Sequence, residues 1–268
     1  MKHSRLFSSI VFCAFAVATL ALSAAPASAA PHQFYRVDPK ESASFRGLES
    51  DPVEPFNRAM FRFNYVVDGM LLRPVSIIYK GIVPEFGRDM VHHALVNMTE
   101  PVTVLNSVLQ GDTYNAFTAL WRFIINSTVG VLGLFDPATH IGLKHSAEDF
   151  GQTLGRHGAG TGGYLVLPLL GPSSFRDGIG KIVDIFSDPF TYLYDTNGTV
   201  IRGAVSAVDY RSRNMKWIDD TYATSLDPYA SFRSLYLQKR ASDIRDYRVT
   251  VFGKGCDDKK QKGAKKKP

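Results

Sequence analysis

The sequence predicts an all-α fold for a chain of 268 residues. Through most of the chain, apolar residues recur at helical rather than alternating spacing. A composition of 45% apolar and 21% charged residues is that of a folded globular protein. Four Asp-Pro pairs each place a capping carboxylate before a proline, which suits the first position of a helix. These pairs lie at 51–52, 136–137, 188–189 and 227–228.

The first 29 residues are predicted to be a cleaved signal peptide that exports the chain. Basic residues precede an apolar run over 10–22, and Ala27-Ser28-Ala29 supplies the small residues that signal peptidase requires. Retention of this run as a membrane anchor is the alternative. A lipoprotein cysteine would follow the run, whereas Cys13 lies inside it, so no N-terminal lipid is predicted.

The mature chain divides into three predicted parts. Residues 30–50 form an N-terminal extension, 51–253 a helical domain, and 254–268 a disordered, lysine-rich tail. The tail and the signal carry the excess positive charge of the whole chain, which is +6, so the helical domain is close to neutral. A near-neutral domain argues against a nucleic-acid partner.

Apolar spacing and capping residues predict the helices of this domain, which are taken here in chain order. The first carries Phe56, Met60 and Phe63 on one face, continuing through Val67 and Met70. Two further helices are predicted over 85–97 and 101–111, the second beginning at Pro101. A fourth covers 113–128 and is expected to face the core with a stripe of large residues. This stripe comprises Phe117, Leu120, Trp121, Ile124 and Ile125.

Four shorter or later helices follow. Ser146 is predicted to cap a short one that contains Asp149 and Phe150. Ser173 or Ser174 caps the next, and another runs from Thr199 past Asp209 toward Trp217. Pro228 begins the last helix.

The stretch GTGGYLVLPLLGPSSFRDG, residues 160–178, interrupts this helical pattern. Nineteen positions between Arg156 and Arg176 lack a formal charge, but five glycines and two prolines exclude a spanning helix. Non-helical backbone at membrane depth persists only where protein buries it or a cavity borders it. The strip is therefore expected to line an apolar passage or lie at a bilayer interface. An extended segment packed into an ordinary core remains the alternative.

Other constellations give little support for an enzyme. Residues 158–163 satisfy G-x-G-x-x-G, but they follow a helix, whereas a dinucleotide loop must follow a strand. His145 and Asp149, at i and i+4, form one pair rather than a metal or catalytic site. No cofactor, metal or catalytic residue is predicted. Arg202, the single cation in its apolar stretch, suits a phosphate headgroup, or else covers apolar neighbours with its stem.

Five longer stretches carry a family resemblance. They are DPVEPFNRAMFRFN from Asp51, RPVSIIYKGIVPEFGRD from Arg73, NMTEPVTVLNSVLQGD from Asn97, EDFGQTLGRHGAGTGGYLVLPLLGPSSFRDG from Glu148, and DPYASFRSLYLQKR from Asp227. In this order they resemble the MlaA/VacJ family of outer-membrane phospholipid-transport proteins. The resemblance spans residues 51–240, which makes it far more specific than any short motif.

The resemblance implies a compact, ring-like helical bundle that lies in one leaflet of the outer membrane around a central amphipathic channel. Such proteins remove phospholipids mislocalised to the outer leaflet and pass them to a periplasmic lipid carrier, often while attached to trimeric porins. This role requires no chemistry on the lipid. A soluble periplasmic module that binds a small apolar ligand is the alternative.

The resemblance also implies site residues. The loop of Gly158, Gly160 and Gly163 corresponds to a hairpin beside the channel, where mobility gates passage. Channel positions expected from the strip and the helix after it are Tyr164, Leu165, Leu167, Leu169 and Arg202. Phe56, Met60 and Phe63 are expected to face the membrane or the core. Many members carry a lipoprotein cysteine that this chain lacks, so its attachment is expected to depend on an apolar belt or on the lysine tail.

Overall fold

The computed structural model describes residues 51–252, with side chains up to Ile244. The predicted signal peptide, extension and lysine-rich tail lie outside these residues. The first half of the described chain contains α1 Glu54–Val67, a π-helical turn Asp68–Leu72, α2 Arg73–Ile82, α3 Glu85–Leu109, α4 Thr113–Thr128 and α5 Pro137–His140. The second half contains α6 Phe150–Arg156, β1 Tyr164–Leu167, β2 Gly171–Ser174, α7 Phe175–Ser187, α8 Pro189–Leu193, α9 Thr196–Arg213, α10 Met215–Thr224 and α11 Pro228–Phe252. The predicted predominantly helical fold is confirmed.

Aspartate side chains begin several of these helices as predicted. Asp136 accepts a hydrogen bond from the amide of Thr139, and Asp188 accepts one from the amide of Phe190. Asp227 accepts from the amide of Ala230 at the start of α11. At the first pair the structure differs, because α1 begins at Glu54 and no side chain caps it. Ser174, one of two predicted caps, caps α7.

The prediction of separate helices over 85–97 and 101–111 is wrong. One helix, α3, runs from Glu85 to Leu109 with Pro101 inside it. Proline removes one hydrogen bond and crowds the preceding turn, which usually ends a helix. Here α3 packs closely against α4 and contacts α6 and α9, so tertiary contacts outweigh the local penalty.

Two other predicted helix starts are displaced. Asp149, rather than Ser146, caps α6, where it accepts a hydrogen bond from the amide of Gln152. Asp195 caps α9, which begins at Thr196 and ends at Arg213. A new helix, α10, starts at Met215, so the chain does not continue as one helix toward Trp217.

Several helices, including α3, α4 and α7, bury mainly polar residues. On α4 the buried residues include Asn115, Thr118, Arg122 and Asn126, whereas Trp121 is 52% exposed. The predicted stripe is therefore not the buried face of α4: Trp121 and Ile124 are exposed, and its other members are only partly buried. The only cluster of buried apolar residues among the described residues is small, formed by Tyr164, Val166 and Tyr229.

Candidate functional site

The charge-free strip folds into an antiparallel β-hairpin. Strand β1 pairs with β2 so that Tyr164 lies opposite Ser174 and Leu167 opposite Gly171. The three residues between the strands form the turn. The strip is therefore not a helix, as its glycines and prolines predicted, but its pairing into strands was not predicted, because its residues do not alternate clearly between apolar and polar.

The two ends of the hairpin differ in burial. Tyr164 and Val166 point into the core cluster, where Met60 and Phe61 of α1 pack against them. Leu165 and Leu167, on the opposite face, are partly buried. At the turn Leu169 is 67% exposed and Leu170 is 66% exposed. The hairpin is therefore anchored at its base and presents two leucines at its tip.

Two asparagines of α1 hold the free edge of β1. The side-chain amide of Asn57 donates to Tyr164 O at 2.9 Å, and its oxygen accepts from Val166 N at 2.9 Å. Asn64 repeats this pattern, donating to Leu167 O at 2.9 Å and accepting from Leu169 N at 2.7 Å. Seven helical residues rise about 10.5 Å, and three strand residues span about 10 Å. The two spacings match, so α1 takes the place of a neighbouring strand.

The second asparagine also holds an unfavourable backbone conformation. Leu169 has a φ of +65°, in the left-handed region that leucine rarely adopts. Such a residue costs about 1–2 kcal/mol. Because Asn64 accepts the hydrogen bond from the Leu169 amide, α1 helps to maintain the tight turn at the hairpin tip.

The glycines before the hairpin have two different environments. Gly158 has a φ of +92°, and a side chain added there or at Gly160 would meet no atom within 4 Å. A side chain at Gly163 would meet the Phe175 ring at 3.1 Å and Pro52 at 3.2 Å. The first two glycines therefore belong to an open loop, whereas Gly163 is required for close packing.

The contacts that Arg202 makes are with residues outside the hairpin. Its guanidinium forms an ion pair with Asp188 and donates to Met98 O at 3.4 Å. The same group lies 5.5 Å from the centre of the Phe190 ring. A lipid phosphate at Arg202 would therefore compete with an existing carboxylate partner.

The apolar residues predicted on α1 divide between two environments. Phe56 and Phe63 are about half exposed, at 51% and 46%. Met60 is partly buried and packs against the hairpin core. The only fully buried side chain of α1 is the polar Asn57.

The structure does not form the His145–Asp149 pair. Residues 143–149 are not helical, so the i, i+4 spacing does not place the side chains of His145 and Asp149 on one helix face. Instead, His145 Nδ1 lies 3.1 Å from Glu100 Oε1, and Asp149 pairs with Arg240 at 2.7 Å. Within the described residues, no group of three His, Cys, Asp or Glu side chains could hold a metal ion.

Buried ionic networks fill the interior. Arg122 is almost completely buried between α3, α4 and α5, with Glu100 at 2.7 Å and Asp136 at 3.0 Å. Its guanidinium also donates to Thr139 Oγ1 at 2.8 Å and to Leu143 O. Burial alone would raise the pKa of Asp136, but hydrogen bonds from Thr139, Arg122 and Asn126 lower it to about 2.

A second network joins α6, α7 and α11. Arg240 contacts Asp149 at 2.7 Å and Asp177 at 2.9 Å, and Tyr236 donates to the Asp177 carboxylate. Burial disfavours the charged carboxylate of Asp177, yet Arg240 and Tyr236 hold its pKa well below its usual range. Close packing supports this network, since a side chain at Gly180 would meet the Gly151 amide nitrogen at 2.4 Å.

The outward surface is correspondingly apolar. On α7, Ile182 is 57% exposed and Phe186 is 68% exposed, while Arg176 and Asp177 are buried. On α2, Ile82 is 76% exposed and the buried residue is Ser76. Other exposed apolar residues lie on α4, α8 and α9 and include Trp121, Ile124, Tyr192, Leu193, Val200 and Ile201. Among the residues described, no helix has both the length and the low charge needed to cross a bilayer.

Sequence reasoning missed the polar interior, although α3 and α4 contain a signal for it. Asn97, Glu100, Thr103 and Ser107 recur at helical spacing in the C-terminal half of α3. A matching polar stripe on α4 consists of Asn115, Thr118, Arg122 and Asn126. Two adjacent helices with polar stripes and apolar flanks indicate burial of the polar faces when the outer medium is apolar.

Comparisons with known proteins agree with this arrangement. The sequence profile described as "MlaA lipoprotein" matches residues 49–243. An uncharacterised protein of Rickettsia bellii is 36% identical over 196 residues, covering 73% of this chain and 77% of that protein. The intermembrane phospholipid transport system lipoprotein MlaA of Escherichia coli is 32% identical, covering 71% of this chain and 76% of that protein.

Two further comparisons extend this similarity. The MlaA lipoprotein of Haemophilus influenzae is 32% identical, with coverage of 74% of this chain and 80% of that protein. A solved structure, described as the structural basis for maintenance of bacterial outer membrane lipid asymmetry, is 32% identical and superposes with a TM-score of 0.67. The match covers 73% of this chain and 100% of the solved one. This chain therefore belongs to the MlaA family.

Proposed function

We propose that this protein removes mislocalised phospholipids from the outer leaflet of the outer membrane and passes them to a periplasmic lipid carrier. The observation that carries the proposal is the inverted distribution of side chains, with ionic networks inside and large apolar residues outside. Extended apolar surfaces on soluble monomers are uncommon, and acyl chains would cover this one. The transport role stated in the names of the E. coli and H. influenzae relatives supports the same substrate.

In this proposal the helices form a ring-like bundle that lies in one leaflet and encloses an amphipathic channel. The backbone polar groups of a helix are paired internally, so a helix can lie within a leaflet without crossing the bilayer. Lipid tails would contact the apolar outer faces of α2 and α7. Headgroups would pass through the channel that the bundle encloses.

The hairpin is the proposed gate of this channel. Its base is held by Asn57, whereas the loop of Gly158 and Gly160 before it has open space around it. Pivoting about this loop would move the tip, where Leu169 is exposed, more than the base. Leu165 and Leu167 would border the path, buried Tyr164 would anchor the hairpin from the opposite face of β1, and Gly163 would keep the packing at the hinge. Arg202 would meet a headgroup only by exchanging its partner Asp188.

The remaining parts of the proposal concern location and partners. Export by a cleaved signal peptide would leave the protein on the periplasmic side of the outer membrane. The family description includes the word lipoprotein, but the prediction of no N-terminal lipid concerns residues outside the described range. Attachment would then depend on the apolar surface and on a trimeric porin. Transport of this kind changes no covalent bond, so no catalytic group is required.

Substitution of the strip tests the function in cells. Leu167→Asp places a carboxylate on the partly buried face of β1, where contact with acyl chains makes it unfavourable by several kcal/mol. Leu226→Asp is the matched control, because Leu226 is fully exposed in the turn between α10 and α11. Outer-leaflet phospholipid is measured with an amine-reactive label that does not cross the membrane.

Cells without the protein, and cells with Leu167→Asp, are expected to accumulate labelled phospholipid, whereas Leu226→Asp restores the wild-type level. Crosslinking from residue 169 is expected to capture phospholipid, and crosslinking from the periplasmic surface a lipid carrier and a porin. Unchanged labelling in cells that lack the protein would exclude the proposed function. Recovery of the mature protein as a periplasmic monomer with a small apolar ligand would instead support a soluble binding module.

A further inference from the structure

Two buried polar atoms without partners lie beside the turn between α2 and α3. They are the hydroxyl of Tyr79, on the last turn of α2, and Nε of Arg88, on the first turn of α3. Both are shielded from solvent, and neither forms a hydrogen bond with any described residue. Buried polar groups in folded proteins nearly always have a partner. The charge of Arg88 acts on the pKa of Tyr79, so the two groups are neighbours. Together they leave two donors that a ligand with acceptor atoms can satisfy.

The carboxylates nearby are engaged elsewhere. Asp209 lies 2.8 Å from His92 Nδ1 and 3.1 Å from Arg213 Nε. Asp89, the neighbour of Arg88, pairs with Arg213 at 3.0 Å. Glu85, one turn earlier on α3, is exposed and makes no ion pair with Arg88 in the part of the chain that the structure describes. The Arg88 guanidinium therefore keeps its full capacity to bind an anion.

The backbone that carries Arg88 is held in place. Arg213 of α9 donates to Arg88 O at 2.8 Å, so one arginine positions the other. Ser76 Oγ donates to Val208 O at 3.4 Å and fastens α2 to the same helix. The position is thus organised before a ligand arrives, which reduces the entropy that binding has to overcome.

The hydroxyl of Tyr79 is kept as a donor. Burial raises its pKa, the charge of Asp209 raises it further, and Arg213 and Arg88 oppose both effects. A protonated phenol beside a guanidinium offers hydrogen bonds to an acceptor that bears negative charge.

The site borders the apolar outer surface. Ile82, at the end of α2, is 76% exposed, and Phe86, at the start of α3, is 65% exposed. A group bound at Arg88 would thus lie beside side chains that suit acyl chains. An arginine and a tyrosine next to such a surface have the chemistry of a headgroup contact.

We infer that Tyr79 and Arg88 bind a phosphate group, with the guanidinium and the phenolic hydroxyl donating to its oxygens. The phosphate comes either from a phospholipid headgroup or from a soluble phosphate. The first source rests on the proposed function, whereas the second does not.

The test uses the full chain, purified in detergent, and three probes measured by calorimetry. Dihexanoyl phosphatidylglycerol presents phosphate and tails, dihexanoylglycerol presents the tails alone, and inorganic phosphate presents the anion alone. The variants are Arg88→Gln, Tyr79→Phe and the rescue variant Arg88→Lys. Arg62→Gln is the matched control, because Arg62 is an exposed arginine of α1. Thermal unfolding of every variant checks the fold.

Arg88→Gln is expected to weaken phosphatidylglycerol binding about 10-fold or more, the effect of losing a charge-assisted hydrogen bond. Tyr79→Phe, which removes one oxygen, is expected to weaken it about 3- to 10-fold. Arg88→Lys should recover part of the affinity, and Arg62→Gln should match the wild type. Binding of dihexanoylglycerol should not respond to either substitution.

The phosphate arm distinguishes the two sources. If inorganic phosphate competes with the lipid and loses affinity in both variants, the site accepts soluble phosphate. If only the lipid binds, the site is specific for a phospholipid headgroup at the membrane surface. Equal phosphatidylglycerol affinity in the wild type, Arg88→Gln and Tyr79→Phe would overturn the inference. Normal phosphate binding by a protein that fails to clear outer-leaflet lipid would instead exclude the proposed function and retain the site.

Discussion

The interface between α3 and α4 and the outer face of α7 reverse the usual placement of residues in opposite ways, with charges buried in the first and apolar side chains exposed on the second. Between α3 and α4, Arg122 and Glu100 are buried together. On α7, Ile182 and Phe186 face outward. In water both arrangements are unfavourable, because ions lose hydration inside and apolar surface orders solvent outside. Next to acyl chains, exposing the apolar outer face carries no free-energy cost. The buried ions pair with each other and so do not contact hydrocarbon. The contrast shows that the polar face of a helix is buried where another helix supplies its partners, as Glu100 does for Arg122.

Removal of Arg122 is the strongest test of the buried network between α3 and α4. Arg122→Ala leaves Glu100 and Asp136 as buried carboxylates without their cation, so we expect a loss of about 3–5 kcal/mol in unfolding free energy. Chemical denaturation in detergent measures it. Arg73→Ala is the control, since Arg73 pairs with Asp219 at the surface, and should cost no more than about 1 kcal/mol. Equal losses in the two variants would show that the buried network is not special.

A charge on α7 tests the exterior half. Ile182→Asp is expected to disfavour the membrane-bound state by about 2–3 kcal/mol, because a carboxylate is unfavourable among acyl chains. The measurement is the fraction of folded protein that floats with phospholipid vesicles. Ser234→Asp, on the exposed surface of α11, is the control and should float like the wild type. An unchanged fraction for Ile182→Asp would mean that this face does not contact lipid.

Acid tests the interior network, because Asp136 has a lower pKa in the folded than in the unfolded protein. The folded pKa of Asp136 is about 2, against 3.8 for the free side chain. A lowered folded pKa contributes stability that is complete above about pH 4 and is lost as the pH falls through about 2. We expect this group to contribute about 2 kcal/mol at neutral pH. Unfolding followed from pH 6 to pH 2 measures it, and the Asp136→Asn variant should lose less stability over that range.

The hairpin packs against α1, α7 and α11, and the substitution of Asn64 has the smallest predicted effect. Asn64→Ala removes the acceptor for Leu169 N and the donor to Leu167 O, for a cost of about 1 kcal/mol. Hydrogen exchange should become faster at Leu169 while Val166, held by Asn57, keeps its protection. Faster exchange at both amides would mean that the hairpin opens as one unit rather than from its tip.

Capping residues made several helix starts predictable. An aspartate before a proline offers both an acceptor for free amides and a preset φ, and these effects act within one turn. Asp136, Asp188 and Ser174 accordingly cap helices where the sequence predicts them. Where the signal is purely local, distant contacts have little to override.

Errors arose where distant contacts outweighed local preference. Pro101 predicts a helix boundary, but packing of α3 against α4 keeps the helix continuous. His145 and Asp149 have helical spacing without a helix between them, because Asp149 instead begins α6 and binds Arg240 on α11. The partners lie 45 and 91 positions away in the chain, beyond the reach of periodicity.

Periodicity, chain breakers and long matching stretches are local properties of the chain, and they were enough to predict the helical class, the non-helical strip before α7 and the family. The inward face of each helix became known only from the folded arrangement. Amphipathic spacing shows that a helix has a polar and an apolar face, but not which of the two points inward. The direction depends on partners from other helices. For α4 the inward direction is set by the buried partners of Arg122, and for α1 by the edge of β1 that Asn57 holds.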